Sequence, residues 1–581
     1  MKVFLARTSG FCMGVRRAVE MVLDAPGKHK KPICTFGPLI HNPHVLTLLE
    51  EKGIFAIDDI PDQGSGTVLI RAHGVPPQTK EKLVKAGFDV VDATCPRVIR
   101  VQTIIRKYAT QGYASIIIGD GDHPEVIGLL GYAGGNGYVI NNIKELDLLP
   151  AFDKAIIVAQ TTQSVSFFKE VEEWANSKFP HYKIFNTICD STSKRQAEVS
   201  SLADSMDAIV VVGGRNSGNT QRLAEVAGQS GKSVYHIESE LELDLKSLAL
   251  ARCIGITAGA STPNWIIKRV YRTLEMLPFK KEKSWHKIIF TIQRTLLLTN
   301  IYVSFGAGCL CYACTRLLDV QQHFSYVFIS ILYVQSMHIL NNLTGSKEDS
   351  YNDPDRASFY NKNKVFLVFL AVIAGGAGLI TAYTLGSIPF LILLAMSIMG
   401  LSYNIRLVPD SFAASRYRRI RDIPGSKTIL IAVAWGIVTT LLPALSLSGS
   451  INIGTALVLF WSISIVFVRT AFFDILDMQG DRIVGKETIA ILLGENKALR
   501  LLKITLVINV VVLLLSSVLH FVSSLGYFLS MCPVFLFVVI TAYEKANMLP
   551  GTRLEFLVET LFVLAGIITL FTTFFCNYSG G

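Results

Sequence analysis

From about residue 283 onward the chain becomes a succession of apolar runs, each close to the 20 residues that a bilayer-spanning helix needs, joined by short polar segments. No water-soluble fold buries so many such runs, so this part is expected to be an all-α membrane domain. Nine runs stand out, at roughly 288–312, 324–340, 365–385, 388–405, 428–447, 453–473, 501–522, 525–543 and 556–576. The stretches 406–427 and 482–503 are basic, whereas the connections on the other side carry only Arg316. By the positive-inside rule this puts the first half of the chain in the cytoplasm of a multi-pass inner (cytoplasmic) membrane protein. The same loops account for the net charge of +10, and no aromatic-basic module asks for a nucleic acid. The ten cysteines follow no apolar signal segment, which points to a reducing compartment and away from a disulfide framework. The expected division is 1–282 and 283–581.

The first half reads as α/β. Runs such as Val68-Leu69-Ile70, Ser115-Ile116-Ile117-Ile118, Ala155-Ile156-Ile157-Val158 and Ala208-Ile209-Val210-Val211-Val212 suit buried parallel strands, and amphipathic stretches follow several of them. A strand, a glycine-containing polar loop and a helix recur three times, at 35–42, 119–125 and 213–220. Three such units whose loops converge would make a trefoil around one pocket. Cys12, Cys95 and Cys189 each end an apolar run near the edge of a unit, 83 and 94 residues apart, too far for a local zinc clip. Three soft thiolates on one centre, with a fourth coordination position open to substrate, suit a catalytic iron–sulfur site; three buried core cysteines are the other reading of the same spacing. His41, His73 and His123 follow strand-like runs, where α/β folds place ligand-binding groups. Ser217, Asn219, Thr220 and Ser261 lie in loops able to cradle an anion without a Walker lysine. Glu125, two residues beyond His123, is placed to act as a carboxyl acid beside that anion.

These residues resemble a known family. Phe11-Cys12-Met13-Gly14-Val15-Arg16-Arg17-Ala18, Gly37-Pro38-Leu39-Ile40-His41-Asn42, Arg71-Ala72-His73-Gly74-Val75, Asp92-Ala93-Thr94-Cys95-Pro96, His123-Pro124-Glu125-Val126-Ile127-Gly128, Gln160-Thr161-Thr162, Asn216-Ser217-Gly218-Asn219-Thr220 and Thr257-Ala258-Gly259-Ala260-Ser261 are similar, in order, to the motifs of LytB-type 4-hydroxy-3-methylbut-2-enyl diphosphate reductases. The resemblance covers about residues 1–280. It implies a 4Fe-4S cluster on Cys12, Cys95 and Cys189, and a diphosphate held by His41, His73, His123, Ser217, Gly218, Asn219 and Ser261. Proton delivery would fall to Glu125 with Thr161 and His123. Electrons would come from a ferredoxin or flavodoxin, and the products would be isopentenyl and dimethylallyl diphosphate. Gly218 stands where some members have serine. Cys34 and Cys253 match no ligand position and are expected to be structural.

In the second half, Asp474, Asp477 and Asp481 are spaced three and four apart on one helical face at the end of an apolar run. Carboxylates there are costly unless they hold a cation, and hard oxygen ligands suit Mg²⁺ bridging a diphosphate. With Gly485-Lys486-Glu487-Thr488-Ile489 behind them, they resemble the second aspartate-rich motif of UbiA-type prenyltransferases. That resemblance, over about residues 285–576, implies nine membrane helices and transfer of a prenyl chain to an acceptor. The first aspartate-rich motif departs from the family. Asn341 and Asp349 match, but Asn342 and Gly345 replace aspartates, with Glu348, Asp353 and Asp355 near enough in sequence to compensate. The alternative is a catalytically degenerate anchor or binder of membrane lipids. Cys309-x-Cys311-x-x-Cys314 has metal-like spacing without a clear fourth ligand and is expected to consist of ordinary membrane-helix cysteines.

Overall fold

The computed structural model describes residues 2–277, 284–320, 324–344, 352–403, 420, 423, 425–484, 488–545 and 551–578. The chain forms two compact units, Met1–Lys281 and Glu282–Gly581.

The first unit contains three four-stranded sheets, each wholly parallel. One is ordered Phe55–Ile57, Ile33–Phe36, Thr67–Ile70, Asp89–Asp92, and the next Gly137–Ile140, Ala114–Ile118, Ala155–Ala159, Lys183–Ile184. Both follow the pattern second, first, third, fourth. The third sheet follows it too, as Ser233–Ile237, Ala208–Val212, Cys253–Ala258, except that its fourth place is taken by Lys2–Leu5 from the other end of the unit. Lys2 pairs with Cys253 and Leu5 with Ile256. The inner strands are apolar and β-branched because helices cover both faces: every residue of Ala114–Ile118, Ala155–Ala159 and Ala208–Val212 is buried.

This repeated order sorts the chemistry-bearing loops by position. After the three first strands come the loops of His41, of His123 and Glu125, and of Ser217 and Asn219. The third strands are followed by His73, Thr161 and Ser261, and the fourth by Cys95, Cys189 and Cys12. Each cysteine is the N-cap of a helix, Met13–Lys28, Pro96–Ala109 or Asp190–Ser205. Arg195 clasps the place where the borrowed strand joins, its buried guanidinium donating to Gly10 O at 2.6 Å and Ala258 O at 2.8 Å.

The second unit is helical. Seven of its described helices are long and apolar enough to cross a membrane, and eight if the bent pair Ile288–Leu298 and Ile301–Leu317 counts as one span. Of the nine expected runs, two depart from a single straight span among the described residues. The first run is broken by 73° at Asn300, whose φ of 59° is left-handed and whose side-chain amide donates to Tyr360 OH at 2.6 Å. The fourth becomes Ser387–Ser402, 16 residues, which at 1.5 Å per residue reach about 24 Å, short of the roughly 30 Å hydrocarbon core. The basic loop 404–419 lies outside the described residues. Cys309, Cys311 and Cys314 face different neighbours: Cys309 packs against Gly566, while Cys311 and Cys314 engage Ser330 and Thr440. The first and the other two thus serve separate helix contacts.

Replacing Arg195 by methionine strands two buried carbonyls and removes two charge-assisted hydrogen bonds, each worth about 1.5–3 kcal/mol. The expected outcome is a melting transition of the first unit several degrees lower, measured by circular dichroism on the purified full chain.

Candidate functional site

One pocket in the first unit is lined by residues from all nine loop positions. Cys12, Cys95 and Cys189 share it with His41, His73, His123, Glu125, Thr161, Ser217, Gly218, Asn219 and Ser261. At the cysteine end, a Cβ added to Gly14 would come within 2.4 Å of Cys95 Sγ, so only glycine lets the Cys12 helix approach the second cysteine so closely. Burial pushes the Cys95 thiol up, and the neighbouring Cys12 and Cys189 add to the effect. Arg97 and Asp190, just after two of the cysteines, form a 2.5 Å ion pair between the helices Pro96–Ala109 and Asp190–Ser205. Three soft sulfur donors from separate helix N-termini, with no fourth thiol lining the pocket among the described residues, fit an iron–sulfur cluster. Cys34 and Cys253 are half-buried outside this pocket, and Cys34 Sγ contacts Thr67 O.

At the other end the three imidazoles pack ring against ring, with centroids 4.7, 5.6 and 5.3 Å apart. Their nitrogens lie within 4.8 Å of one another, close enough to raise the question of a metal. Hydrogen bonding decides against it. His123 Nδ1 accepts the Glu125 N–H at 3.1 Å, so in the neutral ring Nε2 carries the proton and can only donate. Burial and the nearby Arg71 hold all three imidazoles below the ordinary range, His123 at about 4 and His73 well below normal. His41 Nε2, His73 Nδ1 and Asn219 Nδ2 are buried without a protein partner. Such groups are costly unless a ligand satisfies them, and all can act as donors, so they suit an anion. Ser261 Oγ, 3.2 Å from Ser217 Oγ, and the N-terminus of helix Gly218–Gly228 complete the cradle. A Cβ at Gly218 would stand 3.5 Å from His123 Nε2, an ordinary contact, so the glycine leaves a methyl group's room in the cradle.

Glu125 is bonded to His123 through its backbone N–H and to Thr161, whose carbonyl accepts the Cys189 N–H at 2.9 Å. Its carboxylate accepts the Thr161 N–H at 2.7 Å and the Thr161 hydroxyl at 2.9 Å. Burial raises its pKa to about 7, against the opposing pull of those bonds. Several contributors had no role assigned from the sequence. Arg71 is the cation that the histidines feel, Arg222 bridges to Asp120 at 2.7 Å, and Gln160 accepts the Asp120 N–H at 3.0 Å while donating to Thr162. Arg71 and Gln160 were visible within the motifs, but only packing shows what they face.

In the second unit, Asp474 and Asp481 are buried on the helix Ile453–Val484 with Asp477 between them. Asp474 accepts the Thr428 hydroxyl at 2.5 Å, and Asp481 accepts the Asn352 amide at 2.8 Å. Asn341 lines a largely apolar cavity together with Lys427. Asp349, Glu348 and Gly345 lie outside the described residues. Asp353 and Asp355 do not supply the missing carboxylates freely: Asp355 pairs with Arg294 at 3.1 Å, and Asp353 caps the helix Pro354–Lys362 and lies 3.6 Å from Arg356. Asn342 is turned toward Tyr360 OH at 3.2 Å.

Residues 3–275 match the model of the LytB protein family, and residues 301–571 that of the UbiA prenyltransferase family. A 4-hydroxy-3-methylbut-2-enyl diphosphate reductase of Geotalea daltonii is 41% identical over 283 residues, 49% of this chain and 100% of that protein. A solved structure of (E)-4-hydroxy-3-methyl-but-2-enyl diphosphate reductase, the terminal enzyme of the non-mevalonate pathway, is 38% identical, covers 47% of this chain and 99% of its own, and has a TM-score of 0.38. A UbiA homolog from Aeropyrum pernix K1 is 14% identical over 46% of this chain and 98% of its own, with a TM-score of 0.36.

The raised Glu125 pKa has a stability consequence. The folded state binds this proton more tightly than the unfolded chain does, so the contribution is fully present below the unfolded carboxyl value and is lost as pH rises through about 7. Glu125→Gln removes the titration. The melting temperature of the wild type should therefore fall relative to the variant between pH 6 and pH 8, and parallel curves would contradict the buried carboxyl.

Proposed function

Because the chain belongs to the 4-hydroxy-3-methylbut-2-enyl diphosphate reductase (LytB) family, and carries a UbiA prenyltransferase family domain behind that reductase domain, we propose that its first half removes the hydroxyl of 4-hydroxy-3-methylbut-2-enyl diphosphate reductively, yielding isopentenyl and dimethylallyl diphosphate. The observation that carries this reading is one pocket that brings three cysteines together with buried, unpartnered histidine and asparagine donors and one carboxyl group.

Cys12, Cys95 and Cys189 would hold a 4Fe-4S cluster, which supplies Lewis acidity toward the hydroxyl and electrons one at a time. His41, His73, His123, Ser217, Asn219 and Ser261 bind the diphosphate and so aim the allylic end at the cysteines. Loss of hydroxide as water and protonation of the allylic carbon consume two electrons and two protons. Glu125, with a pKa of about 7, carries a proton in a large share of molecules at neutral pH. The Thr161 hydroxyl, 2.9 Å away, fixes the carboxyl and extends its reach. His123, whose ring nitrogen anchors the Glu125 backbone, couples the anion site to the acid. A one-electron carrier of the ferredoxin or flavodoxin kind supplies the reductant. This half would lie in the cytoplasm, with the second half in the inner (cytoplasmic) membrane.

For the second half we infer transfer of a prenyl chain from a prenyl diphosphate to an acceptor, with Asp474, Asp477 and Asp481, together with Asn341 and Asp349, holding Mg²⁺ and diphosphate. Buried carboxylates on one helix face suit a hard cation. A second reading, a degenerate anchor that binds lipid, is favoured by Asn342 facing Tyr360 and by the engagement of Asp353 and Asp355 in ion pairs.

Three outcomes are expected. Serine at any of the three cysteines abolishes the oxygen-sensitive brown absorbance of anaerobically purified protein. Glu125→Gln keeps that absorbance and substrate binding but lowers turnover by about 10²-fold or more, and wild-type turnover declines as pH rises above about 7. Membranes holding the wild type move label from prenyl diphosphates into extractable lipid in a Mg²⁺-dependent way, and Asp477→Asn does not; no transfer above empty membranes selects the anchor reading.

A further inference from the structure

The apolar cavity of the second unit has a polar end and a closed end. At the polar end stand Asn341 and Lys427, level with Thr428 and its partner Asp474. Going inward along the helix Phe324–Thr344, the lining ends at Tyr333 and Val334 among the described residues. Along Ser426–Gly436 it ends at Trp435. Eight residues separate Lys427 from Trp435, about 12 Å of helix, and seven separate Asn341 from Val334, about 10 Å. The two walls thus close at a similar depth.

Trp435 is held in place by its neighbours. Its ring packs against Phe562 at a centroid distance of 5.2 Å and, on the cavity side, against the edge of His338 at 6.0 Å. The Arg469 guanidinium lies 6.0 Å from its ring centre. Arg469 is itself fixed by Glu559, Nε to Oε1 at 3.0 Å, in a buried pair within two spanning helices. A charged pair at that depth is expensive in a membrane and is expected to do something specific. Here it locks the arginine that backs the indole.

We propose that Trp435 is the floor of a prenyl-binding cavity that accepts chains of five or ten carbons and rejects longer ones. The proposal rests on the reading of the second half as a prenyl diphosphate site. An isoprene unit adds four carbon–carbon bonds in line, about 5 Å in extended form. With the diphosphate at the level of Lys427 and Asp474, two units fill the depth and a third meets the indole. The cavity wall at Leu401, which is half exposed, gives a longer chain one alternative, to turn outward into lipid near the polar end.

The test uses purified full-length protein in detergent with Mg²⁺, labelled geranyl diphosphate as the probe, and unlabelled dimethylallyl, farnesyl and geranylgeranyl diphosphates as competitors. The expected result is that the fifteen- and twenty-carbon compounds compete about ten-fold or more weakly than the ten-carbon one. Trp435→Ala brings the longer compounds to within about three-fold of it. Trp435→Phe, which keeps an aromatic floor of smaller size, gives an intermediate preference, and the folding of both variants is checked by their elution profile and melting temperature. Equal binding of all lengths by the wild type overturns the floor while leaving a prenyl diphosphate site intact. An unchanged preference in a folded Trp435→Ala, or in Trp435→Phe should the alanine variant not fold, overturns it as well. Failure of every prenyl diphosphate to bind the wild type overturns both the floor and the reading beneath it.

Discussion

Backbone hydrogen bonds between Lys2–Leu5 and Cys253–Ala258 join stretches about 250 residues apart, and the reductase centre depends on that pairing. Each of the other two sheets makes its fourth strand from its own run of chain. The third cannot, and takes it from the other end of the unit. The borrowed strand delivers Cys12 to the place that Cys95 and Cys189 occupy after their own fourth strands. Threefold equivalence of the thiols is thus a consequence of strand order, and Arg195, bridging Gly10 to Ala258, secures the seam. Helix N-termini behind all three cysteines add partial positive charge where thiolate sulfur is wanted.

Much of this was legible in the sequence, for identifiable reasons. Fully buried parallel strands are written as unbroken β-branched runs, so Ala114–Ile118 and Ala208–Val212 declare themselves. Loops at strand ends carry the polar residues, so the positions of His41, His123 and Ser217 could be read as well. Lys2–Leu5 could not be assigned a sheet, because its partner is remote and a short edge strand alternates exposed and half-buried residues. Nor could the tautomer of His123, which follows from a backbone contact two residues away. In the membrane half, length and hydropathy find apolar segments but say nothing of the bend at Asn300, which turns on one residue's φ, or of a run that stops at 16 residues.

The second unit follows a different economy. Several of its polar groups are placed in pairs, Asp474 with Thr428, Asp481 with Asn352, Arg469 with Glu559 and Asn300 with Tyr360, because an unpaired polar group has no water to fall back on there. Some of these pairs occupy residues that motif counting would treat as available ligands. Asp353 and Asp355, acidic and close in sequence to the altered motif, are drawn into contacts with Arg356 and Arg294. A carboxylate near a motif is therefore no guide to a carboxylate in a site.

The neutral histidine trio has a consequence for selectivity. A centre built on fixed cations attracts any anion of the right size. Three imidazoles held below their ordinary range, with Arg71 behind them, offer hydrogen bonds but little extra charge until a ligand arrives. A guest is then held by how many of these directed donors it satisfies at once, so an anion that presents several acceptor oxygens is favoured over one that presents a single oxygen.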